Sequence, residues 1–274
     1  MLLDLDDILT TIEIEPSWIV QGIIPASTVI LVAGDAGVGK SVMNLSEGLH
    51  VALGRPFFGH PTTQTRVLYF DEENSRPDIK AYLQQLWVGM DQPDRELIKP
   101  WFHLEHFSLG DKTWPAKMLA LATAYQPGLI YVDTATSALA ITEENDNAEA
   151  QRVVQALRHV MEDCGSAPAI KILKHAKYVS GGGHGRDKGT RRTIRGAKAW
   201  LGAVDQTMFH IRAQGAPKAN GLHTTLLVPD KKRAFGLRGN IRIEPDELPG
   251  MPKGLILKGE VFVSKSDLMI VTEG

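Results

Sequence analysis

The segment Gly34-Asp35-Ala36-Gly37-Val38-Gly39-Lys40-Ser41 follows directly on the apolar run Val29-Ile30-Leu31-Val32-Ala33. This is a G-x-x-x-x-G-K-[ST] match leaving a buried strand, and the residues after it, 40–53, read as a helix. Successive amides in a glycine-rich turn that feeds a helix N-terminus form a concave set of donors suited to a polyphosphate. In such a loop the residues from Gly34 to Val42 surround the phosphates. Lys40 is placed for the β and γ phosphates and Ser41 for a magnesium ion. The expected ligands are therefore ATP and Mg2+.

Alternating strands and helices surround this loop. Val67-Leu68-Tyr69-Phe70 is a short apolar strand closed by Asp71-Glu72-Glu73, and a helix is expected over 77–87. A strand over 101–107, a helix over 115–125 and the strand Leu129-Ile130-Tyr131-Val132-Asp133 come next. A helix over 146–163, with Val153, Val154, Leu157, Val160 and Met161 on one face, precedes a strand over 169–173. This alternation predicts an α/β fold with a mostly parallel central sheet flanked by helices. Residues 208–211, 224–228 and 241–243 read as short strands that extend it in antiparallel fashion. One elaborated domain over 28–245 is expected, with a lead-in at 1–27 that covers one edge and a C-terminal extension at 246–274. At 274 residues and 43% hydrophobic, the chain can bury a core of that size.

Other classes are disfavoured. Thirty basic and 32 acidic residues leave a formal charge of -2, so any nucleic-acid signal must be local. The lone Cys164 excludes an intrachain disulfide and a thiolate metal cluster. The nine histidines show no zinc spacing. The N-terminus is acidic where a secretory signal is basic, and no apolar run reaches the ~20 residues of a spanning helix. The expectation is a soluble, cytoplasmic protein without a membrane partner.

Several polar residues fall at strand ends, the edge where open α/β sheets bind ligands. Asp133 is placed to hold the magnesium water shell with Ser41. Glu73, in preference to Glu72, is placed to orient an attacking water; the alternative is that Asp71-Glu72-Glu73-Asn74 caps the following helix. His175 can hydrogen-bond a γ-phosphate, or be a loop histidine. From Lys174 to Lys198 there are eight basic residues against Asp187 alone. The loop from Lys177 to Thr193, with Arg186, Lys188, Arg191 and Arg192 around a glycine-rich stretch, suits a phosphodiester backbone. It would equally be a solvated basic loop. Lys231 and Arg233 are either a surface turn or groups that reach a neighbouring subunit's γ-phosphate.

The motif order resembles that of RecA-like ATPases related to plasmid RepA-type hexameric helicases, and more distantly to DnaB-like helicase domains. The resemblance runs over about residues 18–235. It is carried by Trp18-Ile19-Val20-Gln21-Gly22-Ile23-Ile24-Pro25, the loop at 34–41, the strand ending at Glu73, Leu129 to Thr134, Ile172-Leu173-Lys174-His175-Ala176, Arg195-Gly196-Ala197 and Lys231-Lys232-Arg233. It implies Glu73 as catalytic carboxylate, Asp133 as magnesium residue, His175 as phosphate sensor, and Lys231 with Arg233 as groups supplied across a subunit interface. It also implies a homo-oligomer, a hexamer, that grips single-stranded DNA through Lys177, Arg186, Lys188, Arg191 and Arg192. Primase or initiator functions would come from partner proteins. Ala197 stands where that group carries serine, and Lys174 where many carry histidine. Two further readings stay open: a non-unwinding DNA-binding ATPase (a recombination mediator or replication regulator), and an ATPase of protein assembly or signalling.

Overall fold

The computed structural model describes residues 16–91, 93, 95–105, 113–139, 141, 146–180, 190–194, 199–213, 223–232, 237, 239–248 and 251–262. A two-stranded lead-in, β1 (Trp18–Val20) and β2 (Ile24–Pro25), precedes a ten-stranded sheet. Its strands are β3 (Val29–Gly34), β4 (Val67–Asp71), β5 (Phe102–Glu105), β6 (Leu129–Asp133), β7 (Ala169–Ser180), β8 (Thr190–Ile194), β9 (Gln206–Arg212), β10 (Thr225–Lys232), β11 (Asn240–Leu248) and β12 (Met251–Phe262). The order is β12-β11-β10-β9-β3-β7-β6-β4-β5, with β8 paired to β7. From β5 to β9 every pair is parallel, and from β9 to β12 every pair is antiparallel.

Strands β3, β4 and β6 are buried at every position because helices cover both faces. Alternate residues divide between two cores. Val29, Leu31, Phe70, Val132 and Ile172 pack with α4 (Trp114–Tyr125) and α6 (Asn147–Asp163), through Met118, Val153 and Leu157. Ile30, Val32, Tyr69, Tyr131 and Leu173 face α1 (Lys40–Leu53) and α2 (Arg76–Gly89), through Met43, Leu49 and Leu86. Burying each such aliphatic side chain contributes about 1.5–3 kcal/mol. The smaller helices are α3 (Arg95–Ile98), α5 (Ala135–Ala138) and α7 (Ala199–Ala203). Among the described residues no helix is long and apolar enough to cross a membrane.

Three differences from the sequence reading bear on the site. β7 does not stop at residue 173; it runs on to Ser180 and pairs with β8, so Lys177, Arg191 and Arg192 lie on strands of a hairpin. Within the span read as a loop, only residues 181–189, with Arg186 and Lys188, lie outside the described residues. β11 crosses the boundary expected at 245, and β12 continues the same sheet from the segment read as an extension. Lys174 is 1% exposed, with Nζ 4.9 Å from the centroid of the Trp200 ring. It does not belong to an exposed basic cluster.

Candidate nucleotide site

The parallel strands bring the strand-end residues to one edge. In register, Gly34 lies beside His175 and Asp71 beside Asp133. The phosphate loop leaves β3 at that edge and α1 begins at Lys40, with Gly39 in the left-handed region at φ 93 as its N-cap. A side chain at Gly39 would strain that turn. Gly34 is glycine for a different reason: a Cβ there would lie 2.3 Å from the His210 carbonyl oxygen on β9.

Lys40 is buried and folded back on its own loop, donating from Nζ to the Gly34 carbonyl at 3.0 Å and the Asp35 carbonyl at 2.9 Å. Burial lowers its pKa, and Glu73, Asp133 and Asp35 oppose that shift. A cation buried among carbonyls and carboxylates is a ready partner for phosphate oxygens.

Asp133 is 1% exposed. The Tyr69 hydroxyl donates to its Oδ2 at 2.9 Å, while Oδ1 is buried without a geometrically sound hydrogen bond. Burial pushes the Asp133 carboxyl up to about 6, with Asp71 and Glu73 adding to the rise and the Ser41 and Tyr69 hydroxyls opposing it. A carboxylate oxygen left over beside a serine hydroxyl is the donor chemistry a hard divalent cation takes. Among the described residues no cluster of three or more His, Cys, Asp or Glu surrounds a metal position. The fit is therefore to a partly hydrated ion held at one or two points.

Glu73 Oε1 lies 3.1 Å from His175 Nε2. That hydrogen bond is the largest influence on Glu73 and holds its carboxyl below the usual range, with Thr134 and Lys40 helping and burial opposing. The helix-cap alternative for residues 71–74 does not hold, because Ser75 caps α2 by accepting from the Asp78 amide. Asp71 instead folds the turn: its Oδ1 accepts from the Glu73 amide at 3.0 Å and the Asn74 amide at 2.9 Å. Asn74 Nδ2 then reaches both Asp71 Oδ2 at 3.0 Å and Ser41 Oγ at 3.3 Å. Asp71, Asn74 and Tyr69 are site residues that sequence reasoning missed. Their signal, a carboxylate opposite Asp133 across the β4–β6 pair, exists only once the strands are aligned.

A cavity of 340 Å³ opens beside the loop. Gly37, Gly39, Val42 and Met43 line one side, His210 and Thr225 the floor, and Ile243, Pro245, Leu255 and Leu257 of β11 and β12 the remainder. Burial pushes the His210 imidazole down to about 3, so it is neutral. Its Nε2 pairs with Thr225 Oγ1 at 2.8 Å, and Nδ1 has no partner. Arg212 reaches the Gly37 carbonyl at 3.4 Å. Nothing in the sequence pattern pointed to His210 or Arg212.

Two residues were expected to act across an interface. Lys231 lies on β10, with its backbone opposite Thr207, and Arg233 lies outside the described residues.

The profile of a family described as AAA domain matches residues 1–180. No curated protein matches the sequence significantly. Among solved structures the chain is similar to a KaiC-like protein from the hyperthermophilic archaeon Pyrococcus horikoshii OT3, with a TM-score of 0.53 and 12% identity over 87% of this chain and 93% of that one. Likeness at that identity concerns the fold, which is the α/β RecA-like P-loop NTPase fold. Neither match singles out the replicative helicases that the motif order resembles.

Proposed function

The chain belongs to the AAA domain family, and we propose that it is a RecA-like ATPase whose nucleotide state governs the grip of the β7–β8 hairpin on a nucleic-acid backbone, without unwinding. The observation that carries this reading is the path of β7. It lies beside the phosphate loop through the Gly34–His175 register, meets Glu73 through His175, and continues without a break into the hairpin with Lys177, Arg191 and Arg192.

In this reading the amides of 34–42 and Lys40 hold the phosphates, and Lys40 leaves its two carbonyl partners to do so. Ser41 and Asp133 hold magnesium, which supplies charge neutralisation between the phosphate oxygens. Glu73, kept ionised by His175, orients the attacking water. His175 then loses or gains a partner as the terminal phosphate comes and goes, and β7 carries that change to the hairpin. The recess beside Val42, Met43 and His210 takes the nucleobase. Lys231 and Arg233 act on a neighbouring copy's nucleotide, in an oligomer such as a hexamer. The lead-in at 1–27 belongs to this proposal too, as does a domain that starts at 28 and takes in β11 and β12.

The test uses ATP turnover and binding to single-stranded DNA at two salt concentrations. Changing Arg191 and Arg192 to alanine should weaken DNA binding and reduce its salt dependence by one to two units of log–log slope, about 0.7 per lost phosphate contact. Equal affinity and slope in the variant would transfer the hairpin to a protein partner. ATP-dependent strand displacement on a forked duplex would restore the helicase reading.

A further inference from the structure

Tyr69 is fully buried on β4, a strand buried along its whole length. A phenylalanine would fill the same space; the tyrosine adds a hydroxyl that burial obliges to find a partner. Its register neighbour on β6 is Tyr131, also fully buried, with the two ring centroids 5.1 Å apart. Each hydroxyl donates to a carboxylate at 2.9 Å, Tyr131 to Glu47 and Tyr69 to Asp133. The two carboxylates differ in what else they meet. Both Glu47 oxygens accept from Lys171 Nζ at 2.7 Å, so a cation of the chain itself answers that charge. On Asp133 the Tyr69 hydroxyl takes Oδ2, while the buried Oδ1 makes no geometrically sound hydrogen bond.

A carboxylate turns readily about its last torsion, whose minima are broad. Tyr69 opposes that turn. Its ring lies between Tyr131 on β6 and Phe102 on β5, the second at 6.5 Å between centroids. The hydroxyl therefore reaches Asp133 from a fixed place and pins one oxygen, so that the other faces outward from that bond in one orientation.

We propose that Tyr69 is a positioning residue for the divalent cation: by occupying Asp133 Oδ2 it presents Oδ1 to the ion that Ser41 and Asp133 share. The inference rests on the reading of Asp133 as a magnesium residue, and Tyr69 acts only through that carboxylate. Without the hydroxyl, Asp133 keeps its charge but loses its fixed plane, and a second buried oxygen is left without a donor. The ion must then order a group that was free to turn. Partners one bond removed from a metal are worth about 10–100-fold in its affinity.

The experiment measures binding of Mn2+, a paramagnetic substitute for magnesium, to the full chain loaded with a non-hydrolysable ATP analogue, by electron paramagnetic resonance of the free ion. Tyr69→Phe should weaken binding about tenfold or more. In an Asp133→Asn background the same change should add less than about twofold, because its only route is that carboxylate. Para-aminophenylalanine at position 69, which keeps a donor in the same place, should hold the affinity within about threefold of the parent. Unchanged or tighter binding in Tyr69→Phe overturns the proposal. Equal losses in the two backgrounds also overturn it, since they mark an effect of packing alone, as does a para-amino variant that binds as weakly as Tyr69→Phe. If Asp133→Asn by itself keeps the parent's affinity, the magnesium reading falls and the proposal falls with it. A loss in Asp133→Asn with none in Tyr69→Phe overturns the proposal and leaves that reading standing.

Discussion

His175 Nε2 and Glu73 Oε1 lie 3.1 Å apart, joining the ends of two strands that are not neighbours in the sheet. The bond holds the Glu73 carboxyl below its ordinary range, so Glu73 stays ionised to lower pH than a free glutamate. A carboxylate that must be ionised to orient water loses activity as the pH falls through its folded pKa. In His175→Ala that pKa should rise toward the ordinary value, and the acid limb of the turnover–pH profile should move upward. His175→Gln, which can still donate, should hold the limb in place. Glu73→Gln should bind ATP and lower turnover by about 100-fold or more at every pH. An unmoved limb in His175→Ala would separate the histidine from the carboxylate's ionisation.

The orphaned Oδ1 of Asp133 beside Ser41 leads to an opposed pair of effects. A charge buried at 1% exposure destabilises the nucleotide-free fold, and its worth returns when a cation binds. Asp133→Asn should therefore melt at the same or a higher temperature than the parent protein without ligand. With ATP and magnesium added, the parent should gain several degrees and the variant little. Chelating the magnesium should abolish the parent's gain and leave the variant nearly unchanged. Thermal melts with and without chelator give the answer, and a variant that keeps the full magnesium-dependent gain would remove Asp133 from the ion.

What was legible in the chain follows from where the physics is local. The buried strands Val29–Gly34, Val67–Asp71 and Leu129–Asp133 are apolar runs closed by polar residues, and α1 begins where the phosphate loop dictates. These features place Lys40, Ser41, Glu73, Asp133 and His175 at one edge from the sequence alone. The rest depended on partners distant in sequence. Lys174 to Ser180 looks like a polar loop, and it becomes strand because Lys174 and His175 pair with β3 and residues 176–180 with β8. Asn74 becomes a site residue because Asp71 lies opposite Asp133. β12 contains Pro252, Gly254 and Gly259, poor strand residues, and a Cβ at Gly259 would lie 2.1 Å from the Phe58 ring. Close packing on the Phe58 ring, not propensity, sets that position.

Gly34 and His210 form a contact with two testable sides. A methyl group at Gly34 would meet the His210 carbonyl, a backbone atom in the sheet that cannot rotate away. Gly34→Ala should lose about 1–3 kcal/mol of stability even without ATP, in addition to any loss of binding. The His210 ring, neutral with a pKa of about 3, gives the other. Its folded pKa is depressed below the unfolded value, so its stability is fully present above about pH 6.5 and is lost as pH falls toward the folded pKa. At about pH 5 the loss attributable to it is about 2 kcal/mol relative to about pH 7.5. His210→Gln, unable to titrate, should show that much less acid sensitivity in urea unfolding. Equal pH slopes for the two proteins would mean that His210 protonates in the folded state.

Lys171 and Glu47 are both fully buried, with Nζ 2.7 Å from each carboxylate oxygen and the Tyr131 hydroxyl donating to Oε1 at 2.9 Å. The pair joins α1, the helix that leaves the phosphate loop, to β7 four residues before His175. Each charge is tolerable only in the presence of the other, because desolvating one alone costs more than packing returns. Lys171→Met should therefore lose about 3–5 kcal/mol, leaving Glu47 unpaired in the core. Removing the second charge as well, with Glu47→Met, should recover much of the loss, so that the double variant is more stable than Lys171→Met alone. Urea unfolding of the four proteins in the cycle measures the coupling directly. Additive losses would show that the pair is held by the packing around it and contributes no mutual stabilisation, and the link between phosphate loop and β7 would then rest on the Gly34–His175 register alone.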